Sequence, residues 1–149
     1  MAGKKVLIVK GSPRENGNTA ALADQAAAGA RAAGARVESY YLHGMEINAC
    51  DACDACQAKP YGGCIVEDDM QEIYPALQDA GAVVIASPVY WFTVTAQTKL
   101  FMDRCYARVD ADAYSLSDKE IGIIMTYGDS DPFNSGAINA LRTFQDGFS

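Results

Sequence analysis

Three uninterrupted apolar runs, Val6-Leu7-Ile8-Val9, Ala82-Val83-Val84-Ile85-Ala86 and Ile121-Gly122-Ile123-Ile124-Met125, constrain this chain more than any other feature of its sequence. A strand with one wet face alternates apolar and polar residues. A run that is apolar throughout needs cover on both faces, which is the condition of a parallel sheet between layers of helices. Val37 to Leu42 is less uniform and reads as a strand nearer an edge. Between the runs lie helical stretches: alanine-rich Thr19 to Ala33, then Met70, Ile73, Tyr74 and Leu77 on one helical face, then about Thr95 to Cys105, and a fourth beginning near Gly136. Strands alternating with helices make βαβ units with right-handed crossovers, so the fold class is α/β, an open, doubly wound parallel sheet. Pro75 lacks a backbone donor and crowds the carbonyl four residues back. The sequence therefore predicts a turn or short 3₁₀ piece after Asp68, with the helix proper starting near Pro75. Ala107 to Glu120 is polar and reads as a surface insertion.

A chain of 149 residues, 50% of them apolar, supports one packed core, and residues 1–149 are read as a single domain. The net charge of −7 and pI near 4.5 argue against nucleic acid and anionic membrane surfaces as partners, leaving small molecules or proteins. No run approaches the roughly 20 apolar residues of a membrane span, and no export signal is visible, so the expected location is the cytoplasm. His43 is the single histidine, which leaves no His-based triad or metal site; near a strand end it reads as a solvated or structural residue.

The segment Gly11-Ser12-Pro13-Arg14-Glu15-Asn16-Gly17-Asn18-Thr19 follows the first apolar strand and opens the first helix. Ligands of open α/β sheets bind outside the carboxyl ends of the strands, and first-turn helix amides form an anion site there. Ser12, Asn16, Asn18 and Thr19 add polar donors, and Arg14 is the loop's only positive charge. That set suits a single terminal phosphate. The lysine of a triphosphate loop and the three-glycine dinucleotide fingerprint are both missing. The same residue types also make ordinary turns; the position between strand and helix favours the anion site. Tyr90-Trp91-Phe92, at the mouth of the strand Ala82 to Ala86, could wall a planar ring or could anchor the core of that turn.

Cys50-x2-Cys53-x2-Cys56-x7-Cys64 gathers four of the five cysteines. In a chain without an export signal this points to metal or redox chemistry rather than a disulfide framework. The close triplet resembles the start of the bacterial ferredoxin run, whereas structural zinc ligands usually come as two separated pairs. A [4Fe-4S] cluster, free thiols or a redox dithiol, and zinc all remain open at this point. Cys105 reads as a small buried hydrophobe.

Taken in order, the loop Gly11 to Thr19, the cysteine run, Asp68-Asp69-Met70, Ser87-Pro88-Val89-Tyr90-Trp91-Phe92 and Lys99 to Asp103-Arg104 resemble the NADPH-dependent FMN reductase and iron-sulfur flavoprotein family over nearly the whole chain. The resemblance implies a flavodoxin-like sheet and bound FMN. Its ribityl phosphate would sit on Ser12, Arg14, Asn18 and Thr19, with Asn16 in the same loop. Pro88, Val89, Tyr90, Trp91 and Phe92 would wrap the isoalloxazine, and Tyr127 and Gly128 would close the other side. It implies NAD(P)H as hydride donor and a small-molecule or protein electron acceptor, reached through a [4Fe-4S] cluster where Cys50, Cys53, Cys56 and Cys64 hold one. The alternative is a flavodoxin-like electron carrier reduced by a partner protein.

A flavodoxin-like order 2-1-3-4-5 needs a fifth strand, and the residues after Met125 offer none. The expectation is therefore either a shortened form of a longer chain or an edge covered by another subunit, as in a homodimer or homotetramer. For the phosphate loop the expectation is specific. Thr19→Val should weaken FMN binding by about 1 to 3 kcal/mol, the worth of a hydrogen bond to a charged group. Unchanged affinity in an equilibrium titration would remove Thr19 from the site.

Overall fold

The computed structural model describes residues 4–58, 60, 63–108, 116 and 118–148. Four parallel strands, β1 (Lys5–Lys10), β2 (Arg36–Tyr41), β3 (Ala82–Pro88) and β4 (Glu120–Thr126), form one sheet in the order β2-β1-β3-β4. Four α-helices connect and cover them: α1 (Asn18–Ala32), α2 (Met70–Asp79), α3 (Ala96–Arg104) and α4 (Ala137–Phe148). The expected α/β class and the order 2-1-3-4 are both found, with β2 on an edge. Leu42, expected to end β2, is buried and instead opens a 3₁₀ turn, Leu42–Gly44. Among the described residues no fifth strand follows β4, and no helix is long and apolar enough to cross a membrane. The polar stretch Ala107 to Glu120 lies mostly outside the described residues.

The continuous apolar runs resolve into two faces because successive side chains of a strand point opposite ways. Leu7 and Val9 of β1 and Val83 and Ile85 of β3 pack with α2, α3 and α4 in the larger core. Ile8 and Ala86 point the other way, against Ala23 and Ala27 of α1. Methyl side chains on that helix face let α1 lie close to the sheet, which accounts for its alanine-rich sequence.

Pro75 does not delay the second helix. It stands inside α2, which already begins at Met70. Met70, Ile73 and Leu77 are fully buried and Tyr74 nearly so. Burying side chains of this size is worth about 1.5 to 3 kcal/mol each, so the four together outweigh the roughly 3 kcal/mol cost of an interior proline. Side chains also hold the helix start. The Met70 N–H donates to Asp68 Oδ1 at 3.0 Å, and Gln71 Nε2 donates to the carbonyls of Cys64 (3.0 Å) and Val66 (2.7 Å).

Asp68 also carries the buried ion pair that joins this helix start to the end of α3. Its carboxylate meets the guanidinium of Arg104, Nη2 to Oδ1 at 3.1 Å, and accepts the Asn48 N–H at 2.9 Å. Both side chains of the pair are only 1% exposed. Burial pushes the Asp68 carboxyl up, but Arg104 and the amides of Asn48 and Met70 outweigh it and hold the group below the usual carboxylate range. A carboxylate with a depressed native pKa stabilises the fold fully above its unfolded pKa, and that stability is lost as pH falls through the native value. Asp68→Asn, which leaves a buried guanidinium unpaired, should cost about 3 to 5 kcal/mol at neutral pH. The gap from wild type should narrow progressively below about pH 4. Urea unfolding across that range checks this, and a gap that stays constant to the lowest pH at which the fold persists would contradict it.

Candidate functional site

At the carboxyl edge of the sheet the chain leaves β1 at Gly11, whose N–H donates to the Ala86 carbonyl at 2.8 Å. The Gly11 carbonyl accepts the Thr95 hydroxyl at 2.6 Å, and the Thr95 and Thr98 hydroxyls lie 2.8 Å apart. Thr95 caps α3 by accepting the Thr98 N–H at 3.2 Å, while its own N–H donates to Ser87 Oγ at 3.2 Å. All three hydroxyl residues are buried. A Cβ on Gly11 would stand 1.9 Å from Thr98 Oγ1, so only glycine lets the loop lie on the first turn of α3. Sequence reasoning gave Thr95 and Thr98 no role, although threonine at a helix start is a readable capping signal.

The loop then folds on itself. Buried Ser12 accepts the Arg14 N–H at 3.1 Å, and Gly17 N–H donates to the Arg14 carbonyl at 3.2 Å. Helix α1 opens at Asn18 with no side-chain cap and no acidic residue in its first turn. Its first amides are therefore free of an internal side-chain acceptor, as an anion site requires. Arg14, Asn16 and Asn18 are exposed around this turn, and buried Thr19 points its hydroxyl to that of Thr126, 2.6 Å away at the end of β4. Thr126, which the sequence reading passed over, also accepts the Val89 N–H on its carbonyl at 2.8 Å. One residue thus ties the start of α1 to the turn after β3.

That turn is strained. Tyr90 and Thr93 exchange backbone hydrogen bonds of 2.9 and 3.2 Å around Trp91 and Phe92, whose φ angles of 48° and 67° are both left-handed. Two-residue hairpin turns of this hand favour asparagine and glycine, and bulky aromatics there cost about 1 to 3 kcal/mol each. The start of α4 holds them in place. Gly136 (φ 81°) packs so closely that a Cβ on it would lie 2.3 Å from Phe92 Cα, and Asn139 Nδ2 donates to the Phe92 carbonyl at 3.4 Å. The turn presents its aromatics outward: Trp91 is 92% exposed, and Tyr90, Phe92 and, beyond β4, Tyr127 are exposed as well. They are not core anchors. Pro88 and Val89 are half-buried beneath the turn, and Gly128 is exposed beside Tyr127.

Cys50, Cys53, Cys56 and Cys64 line one concavity together with Arg104 and Tyr106. Ala52 and Asp54, on either side of Cys53, are both left-handed (φ 56° and 55°). Among the described residues no three His, Cys, Asp or Glu groups stand close enough to hold a metal ion as they are. Cys64 Sγ accepts a hydrogen bond from Arg104 Nη2 at 3.4 Å, and Cys56 Sγ one from Gln57 Nε2 at 3.6 Å. The Ala55 amide favours the Cys53 thiolate, but hydrogen bonding to Asp51, desolvation and the Asp51 charge oppose it and leave the thiol above its ordinary value. Burial pushes Cys105 up to about 12, consistent with its reading as a small buried hydrophobe. His43 Nδ1 lies 3.0 Å from Gln97 Nε2 on the surface of α3, a structural contact.

The seat beneath Phe92 gives a direct test of the turn. Gly136→Ala forces a Cβ into the Phe92 backbone and should weaken FMN binding by about 1 to 3 kcal/mol, the scale of backbone strain at such a position. Fluorescence titration measures it, and an unchanged dissociation constant would separate the aromatic turn from flavin binding.

Residues 4–143 match the family described as NADPH-dependent FMN reductase. An iron-sulfur flavoprotein of Archaeoglobus fulgidus is 40% identical over 100 residues, 67% of this chain and 44% of its own length. An iron-sulfur flavoprotein of Methanocaldococcus jannaschii is 38% identical over 144 residues, 97% of this chain and 70% of its own. The chain thus spans only part of the length of these relatives, 44% of the first and 70% of the second. Among solved structures, the NAD(P)H:quinone oxidoreductase of Methanothermobacter marburgensis superposes with a TM-score of 0.68 at 18% identity, over 99% of this chain and 77% of that one, a likeness of fold. Family match, close relatives and flavodoxin-like architecture agree, and the chain belongs to the NADPH-dependent FMN reductase family.

Proposed function

We propose that this protein is an FMN-dependent NAD(P)H oxidoreductase whose cysteine site holds a [4Fe-4S] cluster and whose electrons go to a small-molecule or protein acceptor. The observation that carries the reading is the meeting, at Thr126, of the uncapped first turn of α1 with a strained turn that exposes Trp91 and Phe92. A terminal phosphate fits the first, and a flat apolar ring fits against the second. Ser12 and Thr19 shape the phosphate loop from within, and Arg14, Asn16 and Asn18 supply its outer donors. Pro88 to Phe92 offer backbone groups and aromatic surface to the ring, with Tyr127 and Gly128 opposite. FMN, when bound, accepts a hydride from reduced nicotinamide and releases electrons singly, chemistry that belongs to the cofactor. The chain's share is to bind and orient.

The cysteine concavity fits an anionic metal–thiolate group on two counts. Four thiols face it, and the fully buried Arg104 that lines it has an Nε with no hydrogen-bond partner among the described residues. The names of the iron-sulfur flavoprotein relatives support the same assignment. A lone zinc is the poorer match to the close triplet Cys50, Cys53 and Cys56.

Trp91 is the chain's single tryptophan, so its fluorescence reports directly on the proposed ring site. Anaerobically prepared protein should quench that fluorescence on stoichiometric FMN binding, lose its flavin absorbance on addition of NADPH, and carry iron and sulfide. Cys56→Ser should lose the iron and keep the flavin. Flavin that binds but resists NADPH would favour the electron-carrier reading, and Trp91 emission indifferent to FMN would overturn the ring site.

A further inference from the structure

We infer that Arg104 is the positioning residue of the four-cysteine site, holding Cys64 in place and directing an N–H at its sulfur. The inference rests on the cluster reading above but concerns a different residue. Cys64 is the ligand candidate farthest in sequence from the triplet, so something outside the loop must fix where it stands relative to Cys50. Arg104 does so with one planar group. Nη1 donates to the Asn48 carbonyl at 3.0 Å, two residues before Cys50, and Nη2 donates to Cys64 Sγ at 3.4 Å. The Asp68 carboxylate, at the start of α2, orients the guanidinium from behind. Tyr74 adds a further restraint by donating its hydroxyl to the Arg104 carbonyl at 3.0 Å. Both flanks of the cysteine segment are therefore referred to the last turn of α3.

The side chain is costly for a merely structural tie. A fully buried arginine whose Nε is unsatisfied leaves donor capacity beside the thiols that packing does not explain. Among the described residues that line the concavity its charge is the only positive one, with Asp51, Asp54 and Asp103 as the carboxylates and Asp68 paired to it. Hydrogen bonds to ligand sulfurs and the residues that orient ligands set both retention and potential of metal–thiolate groups. Lysine would keep the charge but cannot span Asn48, Asp68 and Cys64 with one rigid fork.

The test uses the full chain with FMN, reconstituted anaerobically with ferrous iron and sulfide. Arg104→Lys should lose iron to a chelator about 10- to 100-fold faster than wild type. Its cluster should have a more negative midpoint potential, while FMN affinity, the check on folding, is unchanged. If the variant fails to fold, wild type grown with ¹⁵N-arginine answers instead: the reduced cluster should show ¹⁵N hyperfine coupling from a guanidinium, and its absence would overturn the inference. Iron retention and potential equal to wild type in Arg104→Lys would overturn it while leaving the cluster reading intact. A wild-type protein that takes up no iron would overturn both.

Discussion

The seating of Gly11 on the first turn of α3 governs the rest of the carboxyl edge. Its N–H is spent on β3, its carbonyl on the Thr95 hydroxyl, and the space a side chain would need is filled by Thr98. Because α3 is anchored there, its far end is fixed too. Nine residues at about 1.5 Å each carry Arg104 roughly 13 Å from that anchor. One short helix thus spans from beneath the loop Gly11 to Thr19 to the wall of the cysteine concavity, which gives the two candidate sites a defined separation.

Two strained or costly features lie at opposite ends of this arrangement. The left-handed Trp91 and Phe92 are held by the close approach of Gly136, and the buried Arg104 is held by Asp68. Replacing a buried ion pair with apolar residues is often neutral or stabilising, so its presence speaks for geometry more than for stability. In both cases the structure imposes a local arrangement on groups that face outward or toward thiols, as expected where positioning matters more than packing.

Much of this was legible in the sequence because the signals are local. Uninterrupted apolar runs marked β1 and β3 as covered strands, the segment Gly11 to Thr19 stood between a strand and a helix, and the cysteine spacing was plain; the third run misled in part, because β4 stands at an edge of the described sheet and its residues are only partly buried. What was hidden depends on residues far apart in the chain. Thr126 acquires its role only by meeting Thr19, 107 residues away, and Gly136 only by packing on Phe92. Pro75 misled because the local penalty was weighed without the four side chains that α2 buries. The hand of the aromatic turn was unreadable for a related reason: bulky residues disfavour it, and the glycine that permits it lies on another element.

In the function proposed above, one short helix separates a flavin site at the carboxyl edge from a metal–thiolate site at the cysteine loop. Diffraction from crystals of the anaerobically reconstituted protein, with anomalous data collected at the iron absorption edge, tests it most directly. The expected result is flavin density with its phosphate against Gly11 to Thr19 and its ring against Tyr90 to Phe92, and an iron signal enclosed by Cys50, Cys53, Cys56 and Cys64 with Arg104 at its edge. Flavin bound elsewhere, or iron outside that concavity, would contradict it.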